Sequence, residues 1–258
     1  MKNLLLPISF SETSKNALYY GHMIVNEYGS NLTLLHCYSE FKYNREYNFT
    51  PFSYDEGIRK KLVEFYNKNI KSNDHRAIRV LTRQGSISDY ISEISHRYDL
   101  VVLSRKTSPL TKSKRRLADK VYFLTSISNC PVLLMPSKRI DFSFSKIKKI
   151  WHIQRMGIEN EVVQRETVKF RIEPNLITTK SLQQKNFTSV LWRNIVQYTK
   201  THDETELKIV QESYADENID LIILVNHRKT VFQKFLKDDT FQIINQFDIP
   251  ILVLPFKE

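Results

Sequence analysis

The stretch Asp99-Leu-Val-Val-Leu103, carried on to Leu117 and then over fourteen residues to Pro131-Val-Leu-Leu-Met-Pro136, decides how this chain folds, because it is written twice. Its second copy is Asp220-Leu-Ile-Ile-Leu224, on to Leu236, and again over fourteen residues to Pro250-Ile-Leu-Val-Leu-Pro255. Each block reads as an apolar strand, a basic loop, an amphipathic helix and a second apolar strand held between prolines. Strands with no polar alternation are buried on both faces, which is the signature of a parallel sheet covered by helices. Fixed-period self-similarity also means duplication.

Working outward from the first copy, Asn3 to Ile8 and Leu32 to Tyr38 read as further buried strands, and Arg76 to Thr82, which alternates, as a third strand. The Ser9-Phe-Ser-Glu12 pattern reads as a capping box opening a helix with an inner stripe of Leu18, Gly21, Val25 and Tyr28. Helices are also expected over 54–71, 86–97 and 117–128, with Leu117, Val121, Leu124 and Ser128 as the inner stripe of the last. In the second copy strands are expected at 147–153, 175–179, 207–211, 221–225 and 251–254, with a helix over 188–199. The span between Glu212 and Asp220 is too short for the helix that precedes the fourth strand in copy one. Ser137 to Ser145 is polar and basic and reads as a linker. The expected fold is therefore α/β: two tandem domains, 1–138 and a trimmed 146–258, each a five-stranded, mostly parallel sheet flanked by helices.

The opening Leu4-Leu-Leu-Pro-Ile-Ser-Phe-Ser-Glu-Thr-Ser-Lys-Asn-Ala-Leu18, the Leu32-Thr-Leu-Leu-His-Cys37 strand and the two duplicated blocks together resemble the universal stress protein family in its tandem form. The resemblance implies an adenine nucleotide alpha hydrolase-like, Rossmann-like fold whose domains pair through their last strands. Val132 to Met135 and Ile251 to Leu254 are then expected to join within one chain as a pseudo-dimer, with a homodimer left open as a further assembly. Members of that family that bind ATP carry Gly-x-x-Gly, nine residues, then Gly-Ser/Thr after the fourth strand. Here those positions fall on Ser104, Thr107, Leu117 and Ala118, and in copy two on Val225, the loop 226–229 and Leu236-Lys237, so the glycines are missing from both. The Asp that binders place after the first strand is Ser9, which caps a helix about as well as Asp but supplies no carboxylate.

Composition agrees with that loss. Five glycines in 258 residues, where average usage would give roughly 18, leave no two closer than eight positions, and that excludes a Gly-rich phosphate loop. The net charge of +11 is concentrated: residues 1–140 carry a net +10 and Arg105–Lys120 alone +6. Arg105, Lys106, Lys114, Arg115 and Arg116, with Ser9, Ser104 and Thr107, are accordingly the candidate ligand-binding residues if side chains replace backbone amides as phosphate partners. The plainer reading of the same run is a solvated basic loop.

No catalytic residue is assigned, because no Gly-x-Ser-x-Gly elbow and no metal-ligand spacing among the seven histidines is present. His36 and His152 read as satisfied core residues, and Cys37 and Cys130 as reduced, buried thiols. No apolar run is long enough to span a membrane, the start is too short for a signal peptide, and the cytoplasm is the expected location. The expected function is that of a non-enzymatic stress-response protein needing no cofactor. The first alternative is an atypical binder of ATP, AMP or phosphate using Arg105 to Lys120. The second is nucleic acid binding, held back because the aromatic residues Phe41, Tyr43, Tyr47, Phe49, Phe52 and Tyr54 cluster in a different loop from the cations.

Overall fold

A computed structural model of the chain describes residues 1–39, 51–70, 78–105, 121–154, 159–181, 218–226, 244 and 247–256. The strands are β1 (Asn3–Pro7), β2 (Asn31–Tyr38), β3 (Ile78–Gln84), β4 (Leu100–Ser104), β5 (Val132–Met135), β6 (Ile150–Gln154), β7 (Ile177–Ser181), β8 (Leu221–Asn226) and β9 (Ile251–Pro255). They form one nine-stranded sheet in the order β3-β2-β1-β4-β5-β9-β8-β6-β7. All pairings are parallel except the central one, where Val132, Leu133 and Leu134 face Val253, Leu252 and Ile251 antiparallel. The first half supplies five strands and the second four among the described residues, and the fifth expected at 207–211 lies outside them.

The apolar runs alternate in the direction they serve. Leu4, Leu6, Val102, Leu133, Ile223 and Leu252 belong to one core, whereas Leu5, Val101, Leu103, Leu134, Ile222 and Val253 belong to the other. Helices α1 (Glu12–Tyr28), α2 (Pro51–Asn69) and α5 (Glu159–Thr167) cover the first face. Helix α3 (Ile87–Ile94) and helix α4, over residues 121–127, cover the second. Two-sided burial is why these strands carry no polar alternation.

Several expectations are corrected. Helix α1 begins two residues later than the Ser9 box implies, because Phe10 turns in the left-handed region (φ 56°) and hands the cap to Ser11, whose Oγ accepts from the Ser14 amide. At its other end Gly29 adopts φ 64° and donates its amide to the carbonyl of Val25, a left-handed closure that glycine makes without Cβ strain. Helix α5 has no counterpart in the sequence reading. It is polar apart from Val162 and Val163, a stripe too narrow for periodicity to reveal.

The segment 137–145 is not a free linker. Phe142, Phe144 and Ile147 are buried, with Phe144 stacked on Phe170 at 4.9 Å. Tyr20 Oη donates to the carbonyl of Lys138 and accepts from the amide of Ile140, and the Glu27 carboxylate accepts from the amides of Phe144 and Ser145. The expected helix over 188–199 and the loop aromatics Phe41, Tyr43, Tyr47 and Phe49 lie outside the described residues.

Equivalent places in the duplicated blocks make equivalent bonds. Asp99 Oδ2 accepts from the amides of Lys2 and Asn3, and Asp220 Oδ2 from those of Lys148 and Lys149. Val101 donates its amide to Pro131, and Ile222 donates to Pro250, both at 3.0 Å. One difference is that Ser128 closes its own turn, donating to the carbonyl of Cys130 and accepting from that residue's amide. The matching position in the second half is Phe247, which has no hydroxyl to do so.

Candidate functional site

Strand order reverses between β1 and β4, and open α/β sheets bind ligands in the crevice at the carboxyl ends of strands at such a point. A cavity of about 230 Å³ lies there. Its apolar wall is Pro7, Ile8, Ala17, Ile87, Leu103 and Leu124, and its polar residues are Ser9, Thr13, Ser14, Ser104, His36 and Cys37. β1 delivers Pro7 and the two residues after it, α1 its first turn, β2 its carboxyl end, and β4 its last two residues.

The hydroxyls at the start of α1 are bonded chiefly to one another. Ser9 Oγ sits 3.0 Å from Ser11 Oγ and 2.9 Å from Ser14 Oγ, and Ser11 Oγ sits 2.7 Å from Thr13 Oγ1. The Ser9 amide donates to Ser14 Oγ, and the Ser14 amide to Ser11 Oγ. Two of the backbone donors that a phosphate would use at a helix N-terminus are therefore already engaged. Asn16 Nδ2 fixes the far side, donating to Ser104 Oγ at 3.0 Å and to the carbonyl of Pro136 at 2.6 Å.

His36 Nδ1 lies 2.7 Å from the carbonyl of Ile8, an acceptor only, so Nδ1 carries the proton. Burial lowers the imidazole pKa from its ordinary value, partly offset by that backbone bond. Phe10, strained at φ 56°, leans against the His36 ring at 4.8 Å between centroids and against Phe65 at 5.5 Å. Burial pushes the Cys37 thiol up to about 11, against the pull of Arg83.

Of the residues singled out in the sequence, Ser9 and Ser104 line this cleft. Arg105 does not join them. It is buried, and its guanidinium donates to the carbonyls of Ile244, Phe247 and Ile249 in the second half, the last at 2.7 Å. Arg105 is thus spent on carbonyl oxygens rather than held out for an anion. Lys106, Thr107, Lys114, Arg115 and Arg116 lie outside the described residues, as do Leu117 and Ala118.

Sequence reasoning does not single out Thr13, Ser14 or Cys37 for the cleft, and it places His36 in the core rather than on the cleft wall. The available signal was the hydroxyl run Ser9–Ser14 read together with the end of β2. Among the described residues no group of three or more His, Cys, Asp or Glu side chains could hold a metal ion, and no helix is long and apolar enough to cross a membrane. His152 is buried in the middle of β6, with Nε2 3.5 Å from the buried carboxylate of Glu159.

The architecture is shared with solved proteins across the whole chain. A universal stress protein from Archaeoglobus fulgidus superimposes with a TM-score of 0.59 at 13% identity, over 98% of this chain and 96% of that one. A functionally unknown protein from Pseudomonas aeruginosa PAO1 does so with a TM-score of 0.56 at 13% identity, over 99% and 92%. The fold is therefore one that the Archaeoglobus fulgidus universal stress protein also adopts. No family model matches the sequence, and no curated protein matches it.

Proposed function

We propose that this chain is a universal stress protein-like, cytoplasmic stress-response protein that is not an enzyme, that works by binding through the β1–β4 cleft, and that does not hold ATP in that family's usual mode. The reading is carried by the cleft itself. Ser9 stands where ATP-binding relatives place a carboxylate, and its hydroxyl is tied to Ser11 and Ser14. The first residue of the missing glycine motif, Ser104, is held by Asn16. Among the described residues of the cleft no side chain is set up as a nucleophile. The His36 imidazole is directed by the Ile8 carbonyl, and the Cys37 thiol stays protonated near neutral pH.

Calorimetry of the intact chain with ATP and AMP tests this reading. The expected outcome is no micromolar binding of either, unchanged by Arg115→Ala. Micromolar ATP affinity that disappears in Arg115→Ala would replace it with side-chain recognition of phosphate by the basic segment. Turnover of ATP would remove the non-enzymatic part.

A further inference from the structure

We infer that the seam between the two halves holds a ligand site of its own, at the amino ends of β4 and β5 and the carboxyl end of β9, and that it takes a small zwitterion of the α-amino acid class. The site goes beyond the proposed binding role, because it lies at the opposite edge of the first-half strands from the β1–β4 cleft.

A cavity of about 170 Å³ opens there. The first half lines it with His96, Tyr98, Asp99 and the turn 129–131, and the second half with Glu166, Lys169 and Pro255. Boundaries between domains are preferred places for small-molecule sites. Drug-sized ligands occupy roughly 300–1,000 Å³, so a cavity below that range suits a compact molecule with a short side chain.

Both walls hold their polar groups in fixed places. Asp99 Oδ2 accepts from the amides of Lys2 and Asn3 at 2.6 and 2.8 Å. Asn129 is fixed twice, its amide donating to Ser95 Oγ and its Nδ2 to the carbonyl of Ser92. Across the seam the Glu166 carboxylate is buried, accepting from Lys169 Nζ at 2.5 Å on one oxygen and lying 3.4 Å from Arg165 Nε on the other. Lys169 precedes Phe170, a buried ring stacked on Phe144 whose carbonyl accepts from Tyr28 Oη. Groups locked in this way lose little freedom when a ligand arrives.

Charge selects the class. A zwitterion needs a cation and an anion as partners, and the lining supplies both. Lys169 has three ammonium donors and Glu166 takes one, so the others can meet a ligand carboxylate. A carboxylate accepts at both oxygens, and the amide bonds to Asp99 fall on Oδ2, so Oδ1 can meet a ligand ammonium. A bare amine would bring its charge to Lys169, and a bare acid would bring its charge to Asp99. Each is a like-charge contact that the zwitterion replaces with an attractive one. The bound molecule would also tie the halves together, one end on each.

Ligand-detected NMR titration of the full chain compares L-alanine with ethylamine and propionate, and L-serine with ethanolamine and 3-hydroxypropionate. At least one of the two amino acids is expected to bind saturably with a Kd of about 1 mM, the range of fragment-sized ligands. Its amine and acid counterparts are expected to bind about tenfold more weakly. Lys169→Met and Asp99→Asn, the latter keeping an oxygen for the Lys2 and Asn3 amides, are each expected to weaken the amino acid about tenfold with the parent's far-ultraviolet circular dichroism. If one variant misfolds, the other decides, and the comparison of the three ligand forms on the parent chain stands without either. No saturable binding of either amino acid up to about 50 mM, binding of an amine or acid equal to its amino acid, or affinity unchanged in a folded variant overturns the inference.

Discussion

Arg105 and Asn226 occupy equivalent positions at the ends of β4 and β8, and each crosses to the other half. Arg105 donates to the carbonyl of Ile244, and Asn226 donates at 3.2 Å to the carbonyl of Thr125, the residue that matches Ile244 in the duplicated block. The exchange is reciprocal but unequal, because Arg105 also holds the carbonyls of Phe247 and Ile249. Arg105→Ala leaves three inward-facing carbonyls without that donor and is expected to cost about 3 kcal/mol or more, against about 1 kcal/mol for Asn226→Ala. Urea unfolding of both variants and the double variant measures this. Near-additive losses are expected, since the two contacts sit at opposite ends of the antiparallel β5/β9 pair. Equal losses for the two single variants would contradict the assignment.

Asp99 and Asp220 clamp the starts of β1 and β6 through paired amide bonds. Asp99→Ala and Asp220→Ala are each expected to cost about 1–2 kcal/mol. Amide hydrogen exchange provides the sharper check: protection should fall first at Lys2 and Asn3 in one variant and at Lys148 and Lys149 in the other.

Two helical glycines should respond oppositely to one substitution. A Cβ on Gly21 would lie 2.6 Å from Leu6 Cδ1 in the core, whereas a Cβ on Gly57 meets nothing within 4 Å. Gly57→Ala is expected to stabilise by about 0.5–1 kcal/mol through helix propensity and a less flexible unfolded chain. Gly21→Ala gains the same propensity but overpacks the Leu6 contact, for a net loss of about 1 kcal/mol. Thermal melts that rank Gly21→Ala above the parent protein would show that Leu6 repacks freely.

Burial lowers the His36 pKa below its ordinary 6.5. A group whose folded pKa is depressed binds more protons when unfolded, so its contribution is present above the unfolded pKa and fades as pH falls through the folded one. Stability should therefore decline below about pH 6.5 more steeply in the parent than in His36→Asn. Parallel pH profiles of the urea midpoint in the two proteins would remove His36 from this role.

The strands are legible in the sequence because both of their faces are buried. Val132–Met135 and Ile251–Pro255 need only apolar side chains, and a run of them between prolines marks its own limits. The antiparallel β5/β9 contact is expected only through the family resemblance, and the cross-half reach of Arg105 not at all, because both join residues far apart in the chain and no local pattern encodes them. Arg105 reads as one more cation in a basic run, since composition cannot tell a guanidinium turned towards carbonyls from one turned towards water. The linker expectation fails for a related reason. The polar residues of 137–145 outnumber Phe142 and Phe144, yet those two rings decide where the segment packs. At the cleft, Ser9 and Ser104 emerge from the strand ends, while Thr13 and Cys37 join them only once α1 and β2 are folded side by side.

The contrast between Ser128 and Phe247 bears on how such a chain can change over time. A half that closes its own helix end with a serine hydroxyl is self-sufficient at that point, whereas one that receives its closure from Arg105 has surrendered that independence. Dependence of this kind works as a ratchet. Excising the second half removes the carbonyls of Ile244, Phe247 and Ile249 that Arg105 meets, and excising the first removes the guanidinium that the Phe247 carbonyl receives, so the joined form keeps both.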